Sequence, residues 1–247
     1  MIQSLLLDLD DTLLGNEVDV FMHRYFGLLN DYAAKRFDSD SFLPHLMQST
    51  REMIRNTDPR LTNDQVFWAS FETLTGGRRA ELEPFFNTFY ETEFIKLKTT
   101  TTHRPAAATL INAALERGLS VVVATNPLFP MTAIEQRLEW AGLPTAEFDF
   151  TLVTSYENMH AAKPQPAYYR EILSVTGDAP ENALMVGDDW KNDIVPAAEV
   201  GLFTYWIAPD DATPDDPTLV TGRGTLDDLA ERVAGGWLEQ LTVTRCA

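Results

Sequence analysis

The sequence predicts an α/β fold, a Rossmann-like parallel sheet core with helices on both faces, joined to a block of helices inserted near its start. Three observations carry this. The apolar run Leu5-Leu6-Leu7 opens the chain as a buried strand. From residue 104 onward helical and strand patterns alternate, which calls for a parallel sheet covered on both sides, with right-handed crossovers. Between these two regions, residues 17–97 read as helical almost throughout, a stretch too long for one crossover. The expected division is an α/β core of residues 1–16 and 99–247 and an α-helical cap of residues 17–98.

Element by element, residues 2–8 form the first strand and Gly15 marks a turn. Phe21, Tyr25, Leu28, Leu29 and Tyr32 recur at helical spacing, as do Phe85, Phe86, Phe89, Tyr90 and Phe94. Such aromatic stripes predict core packing, not a cofactor box. Pro44, Pro59 and Gly76-Gly77 divide the region into about four helices. Ala106 to Arg117 is a helix stopped by Gly118. Leu119 to Thr125 is a β-branched strand, 130–141 a helix ending at Gly142, and Phe148 to Val153 a strand. Pro166 to Thr176 is a helix, Ala183 to Gly187 a strand, Trp190 to Val200 a helix, Gly201 to Ile207 a strand and Leu226 to Val233 a closing helix. Residues 209–217 form an acidic, proline-rich surface loop.

Composition narrows the function. The 247 residues, 45% of them hydrophobic, can bury a large core, and no apolar run is long enough to span a bilayer. The start lacks the basic segment of a signal peptide. The single cysteine, Cys246, cannot form an internal disulfide, so a reducing, cytoplasmic location is expected. Its place beside the chain end argues against a catalytic role. A formal net charge of -18 disfavours nucleic acid. Residues 15–100 hold 10 Lys+Arg against 13 Asp+Glu, leaving 9 against 24 elsewhere. An anionic substrate therefore needs a cation and placed basic groups beside it.

Ligands of open α/β sheets bind beyond the C-terminal strand ends. There the sequence offers Asp8, Asp10 and Thr12, then Thr125-Asn126, then Lys163-Pro164, then Gly187-Asp188-Asp189 with Asn192-Asp193. Two carboxylates ending one buried strand suit a hard cation, or a nucleophile beside a general acid/base, or merely a turn and helix cap. The later groups, in this order, favour a chemical role.

These four pieces, DLDDTL, VVVATN, AAKPQP and MVGDDWKNDI, together resemble the haloacid dehalogenase-like (HAD) superfamily over the whole chain, including a helical cap after the first strand. The resemblance implies an aspartyl-phosphate mechanism with Asp8 as nucleophile and Asp10 as acid/base. It implies Mg²⁺ held by Asp8, Asp188 and the backbone carbonyl of Asp10. Thr125, Asn126 and Lys163 would bind the phosphoryl group. Asp193 would hold a metal-bound water or orient Lys163. Asp189 would face the metal's surroundings or cap the following helix. The presence of Asp10 resembles the phosphotransferase branch, since the branch that cleaves carbon–halogen bonds lacks it.

The expected activity is thus Mg²⁺-dependent hydrolysis of a small phosphorylated metabolite by a monomer or homodimer, with no nucleic-acid or membrane partner. The resemblance suggests sugar phosphates, phosphoglycolate-like acids or nucleoside monophosphates. A phosphomutase and a non-catalytic binding protein on the same scaffold are the rivals. His23, His45, His103 and His160 show no ligand spacing. Gly76-Gly77-Arg78-Arg79 lacks the Lys-Ser/Thr of a nucleotide loop and reads as a helix–helix turn. The flap at residues 13–19 and inward cap residues should read the leaving group, with Arg55, Arg60, Trp68 and Arg78 as possible contributors.

Overall fold

The computed structural model describes residues 1–209 and 211–241, so Cys246 lies outside the described residues. Six parallel strands form the main sheet: β1 (Ser4–Leu7), β4 (Ser120–Val123), β5 (Leu152–Val153), β6 (Ala183–Gly187), β7 (Phe203–Ile207) and β8 (Gly222–Gly224). Their order is β5-β4-β1-β6-β7-β8, which puts β1 in the interior between β4 and β6. Side chains alternate across the pleat. Leu5, Leu7, Val121 and Val123 enter one apolar cluster, and Leu6, Val122 and Met185 enter the other. α5 (Pro105–Glu116) and α9 (Leu226–Ala234) supply the first cluster, and α7 (Pro166–Thr176) the second.

The helical region contains α1 (Val18–Ala33), α2 (Ser39–Arg55), α3 (Asn63–Thr75) and α4 (Arg79–Thr92). Gly76 ends α3 in the left-handed conformation at φ 69°, so Gly76-Gly77 is the α3–α4 turn. Pro44 does not divide helices. It lies inside α2, and the break falls at residues 34–38, where the Asp38 side chain caps the new helix. A proline early in a helix forgoes one N–H bond and need not end it.

Other boundaries also move. Gly15 is not a turn but the centre of β2 (Leu14–Asn16), paired antiparallel with β3 (Thr101–His103). A Cβ there would lie 3.0 Å from the Thr102 carbonyl, so close strand approach explains the glycine. The strand expected from Phe148 shrinks to Leu152–Val153, while the Phe148 and Phe150 rings stack on each other. Trp190–Ile194 is a π-helical turn running into α8 (Val195–Val200). Gly222–Gly224 adds an unforeseen edge strand, because Gly-Arg-Gly carries no apolar alternation to reveal it.

The helical insert is seated on the core by backbone bonds and ring contacts. The Asn63 and Asp64 amides donate to the Met159 and Tyr156 carbonyls, each at 2.8 Å. Phe94 stacks on Trp140 of α6 (Met131–Trp140) at 5.5 Å between centroids. No helix among the described residues is long and apolar enough to cross a membrane.

Candidate active site

Strand register brings the acidic segments together. The Asp8 amide donates to the Val186 carbonyl at 2.9 Å and the Ala124 amide to the Leu7 carbonyl at 2.7 Å. The residues after β1, β4 and β6 therefore meet at one sheet edge. Lys163, in the loop before α7, places its Nζ 2.6 Å from Asp8 Oδ1 and 2.6 Å from Asp193 Oδ1. All three side chains are buried. Asp193 comes from the π turn and reaches in over Gly187. A Cβ on Gly187 would lie 2.1 Å from Asp193 Oδ2, so only glycine permits this approach. Asp188 accepts from Thr12 Oγ1 at 3.1 Å, and its carbonyl accepts from Trp206 Nε1 at 2.9 Å.

Asp8, Asp188 and Asp193 each bring a carboxylate oxygen within 4.8 Å of the others. Lys163 pairs with two of them, Asp8 and Asp193, and Asp188 has no cationic partner among the described residues. Burial, with Asp193 and Asp10 close by, pushes Asp8 up to about 7 despite Lys163. Burial and the neighbouring Asp8 raise Asp188 to about 7. Burial lifts Asp193 to about 6, against the pull of Lys163. Burial opposes the charge on Lys163, but Asp193 and Asp8 outweigh it and hold its pKa well above the ordinary value. An oxygen-donor set, two of its three carboxylates buried and short of positive charge, fits a hard divalent cation.

The Asp10 carboxylate has partners of its own. Its carboxylate accepts from Arg137 Nη1 at 2.5 Å and from Asn16 Nδ2 at 3.0 Å. Arg137 is 1% exposed, its guanidinium lies over the Phe129 ring, and its Nε and Nη2 have no hydrogen-bond partner among the described residues. Asp11 takes a positive φ of 53° to turn the chain into β2, and Arg104 clamps that turn through the Asp11 carboxylate and carbonyl.

Thr125 follows β4 and is buried. Its carbonyl accepts from Thr154 Oγ1 and Tyr168 Oη, both at 2.8 Å, which fixes the backbone there. Asn126 Oδ1 is buried without a hydrogen-bond partner among the described residues. Asp189 is absent from the carboxylate cluster. Its oxygens accept from the Lys191 and Asn192 amides and from Asn192 Nδ2, the geometry of a helix cap.

Arg137 and Asn16 were not among the expected site residues. The available signal was an arginine on the apolar register of α6, between Ile134 and Leu138, where a charge needs a buried partner. Conversely, Arg60 and Arg78 pair with Asp58 and Glu81 on the surface, and Arg55 is exposed. Of the four suggested cap residues, only Trp68 lines the cavity of about 310 Å³ between the insert and the loop after β4. Among the described residues, no histidine joins the acidic cluster.

A sequence model of the haloacid dehalogenase-like hydrolases matches residues 2–201. Pyrophosphatase PpaX of Bacillus cereus (strain B4264) is 24% identical over 209 residues, 84% of this chain and 83% of that protein. Phosphoserine phosphatase of Thermus thermophilus is 32% identical over 113 residues, 46% of this chain and 43% of that protein. The magnesium-bound crystal structure of the HAD-hydrolase YfnB from Bacillus subtilis superposes with a TM-score of 0.54 at 22% identity. That match covers 94% of this chain and 98% of the other.

Proposed function

This chain belongs to the haloacid dehalogenase-like hydrolases, and we propose that it is a phosphomonoesterase for a small phosphorylated molecule, with Asp8 as its nucleophile. The observation that carries this reading is the buried Lys163 bridging Asp8 and Asp193 at 2.6 Å each, while a second carboxylate, Asp10, is held separately by Arg137. Lys163 engages Asp8 Oδ1, which leaves Oδ2 to attack. In the first step Asp8 forms an O–P bond as the ester P–O bond breaks, and Asp10 gives the departing oxygen its proton. In the second, Asp10 takes a proton from water as its oxygen attacks phosphorus. Inorganic phosphate leaves and the Asp8 carboxylate returns. Lys163 and the Thr125–Asn126 segment stabilise negative charge on the phosphoryl oxygens.

We assign Asp8, Asp188 and the Asp10 carbonyl to a divalent cation, with Asp193 adjoining. Magnesium is favoured by the all-oxygen donor set and by the magnesium-bound YfnB. When bound, it supplies the positive charge that the carboxylates and the incoming phosphate lack. Residues 17–98 serve as the cap over this edge.

The test is phosphate release from a panel of phosphorylated metabolites with Mg²⁺, comparing the protein with its Asp8→Asn variant. Release abolished in the variant is expected. Equal inertness of both across the panel defeats the reading, and an isomeric phosphate in place of free phosphate points to transfer.

A further inference from the structure

The cavity between the insert and the core points to the leaving group. We propose that the substrate is the phosphate monoester of an apolar alcohol, aryl or bulky alkyl, whose hydrocarbon part occupies this cavity. The inference rests on the phosphomonoesterase reading and gives it a substrate class.

The cavity's chemistry is unusual for a site taking sugar or amino-acid phosphates. Every one of the four helices contributes to it, together with the segment after Asn126, and among the described residues no Lys, Arg, His, Asp or Glu side chain lines it. Its polar groups are few and uncharged, and Trp68 Nε1 is buried there without a hydrogen-bond partner among the described residues. The Tyr25 and Tyr90 hydroxyls bond each other at 3.0 Å, and the Thr50 hydroxyl donates to the Leu46 carbonyl at 2.9 Å. Arg79 of the insert stacks beside Trp68 but is already paired with Asp64 and Glu83. An ammonium or a second phosphate placed here would lose water and meet no opposite charge, and a polyol would find few polar partners, at substantial cost. A hydrocarbon group loses nothing. An apolar cavity of about 150 Å³ takes up benzene, so about 310 Å³ admits roughly a bicyclic group.

The cavity also adjoins the chemistry. Leu128, Phe129 and Pro130 line it and continue directly from Thr125-Asn126-Pro127. The Phe129 ring is one wall. The Arg137 guanidinium lies 4.8 Å from the centroid of that ring and holds Asp10 at 2.5 Å. One side chain therefore spans from the cavity wall to the group that protonates the departing oxygen. The named relatives, a pyrophosphatase and a phosphoserine phosphatase, imply charged leaving groups, for which this cavity has no counter-charge.

The experiment compares 2-(2-naphthyl)ethyl phosphate with ethyl phosphate, whose leaving alcohols are of similar basicity, in the presence of Mg²⁺. The expected kcat/KM ratio is about a hundredfold in favour of the naphthyl ester, since one buried methylene alone discriminates about tenfold or more. Glycerol 3-phosphate, phosphoserine and pyrophosphate should fall with ethyl phosphate. In parallel, 2-(2-naphthyl)ethanol should saturably alter the protein's tryptophan fluorescence, a readout that needs no turnover. Thr50→Phe, or Met47→Phe if the first does not fold, narrows the cavity and should cut the ratio at least about tenfold. Measurable turnover with a ratio near one, or a charged ester hydrolysed best, overturns the inference and leaves the phosphomonoesterase reading standing. No phosphate from any ester defeats that reading, and the inference with it.

Discussion

The sheet edge and the helical insert solve opposite problems. At the edge, buried Asp8 and Asp193 and half-buried Asp188 crowd together, Lys163 pairs only Asp8 and Asp193, and burial raises the pKa of all three carboxyls. In the insert, Phe71 is wholly buried among the rings of Phe37, Phe42, Phe67, Trp68 and Phe86, with no charge to manage. The edge is specified by individual atoms and fails if one is lost. The insert is specified by shape, and its imperfect filling leaves room for a ligand. The two regions are thus built from different physics, electrostatics in one and packing in the other.

The sharpest way to break the comparison is at Asp8. Asp8→Asn should lower phosphate release by about 10⁴-fold or more, because a nucleophile has no substitute. Residual turnover above about 1% would move the nucleophile elsewhere. Arg137→Met keeps an apolar chain against Phe129 but frees Asp10. A fall in kcat of about a hundredfold is expected from a misplaced acid/base, read by steady-state kinetics on a variant whose circular dichroism is unchanged. An unchanged kcat would reduce Arg137 to packing.

Phe71→Ala attacks the insert instead. It should cost about 3–5 kcal/mol in denaturant unfolding, with little change in the affinity for Mg²⁺. On the proposed assignment, Mg²⁺ binds at the edge, away from Phe71. At about a hundred times its dissociation constant it should stabilise the protein by about 2.7 kcal/mol, seen as a higher Tm that chelation reverses. The sign of the pH effect follows from the raised carboxylates. Without cation, the folded chain keeps protons that the unfolded chain releases near pH 4, so stability falls as pH rises from about 4 through about 7. The Mg²⁺ gain in Tm should therefore be larger at pH 7.5 than at pH 5. The smallest effect sharpens the edge of the site. Asp189→Ala should lose about 1 kcal/mol as a missing cap, Asp189→Ser should regain most of it, and Mg²⁺ affinity should hold in both.

Much of this was legible in residue order. Leu5-Leu6-Leu7 followed by two aspartates gave the central strand and its chemical end, and the period-3.6 aromatics gave four helices between β2 and β3. Pro44 misled because a proline punctuates only some helices. The Phe148 strand misled because aromatic alternation also suits a turn whose rings stack together. Gly222–Gly224 was invisible because edge pairing uses backbone atoms that no side-chain pattern reports.

Local sequence determined which residues end the strands, since strand periodicity and turn chemistry act over a few neighbours. Tertiary structure alone decided their partners. It set Lys163 between Asp8 and Asp193, which are 155 and 30 residues away, and gave Asp189 to its own helix. It brought Arg137 across 127 residues to Asp10 and left an uncharged cavity behind that pair. The reason is physical: a buried charge must be matched in space, and matching in space depends on how strands and helices pack, which sequence proximity does not record.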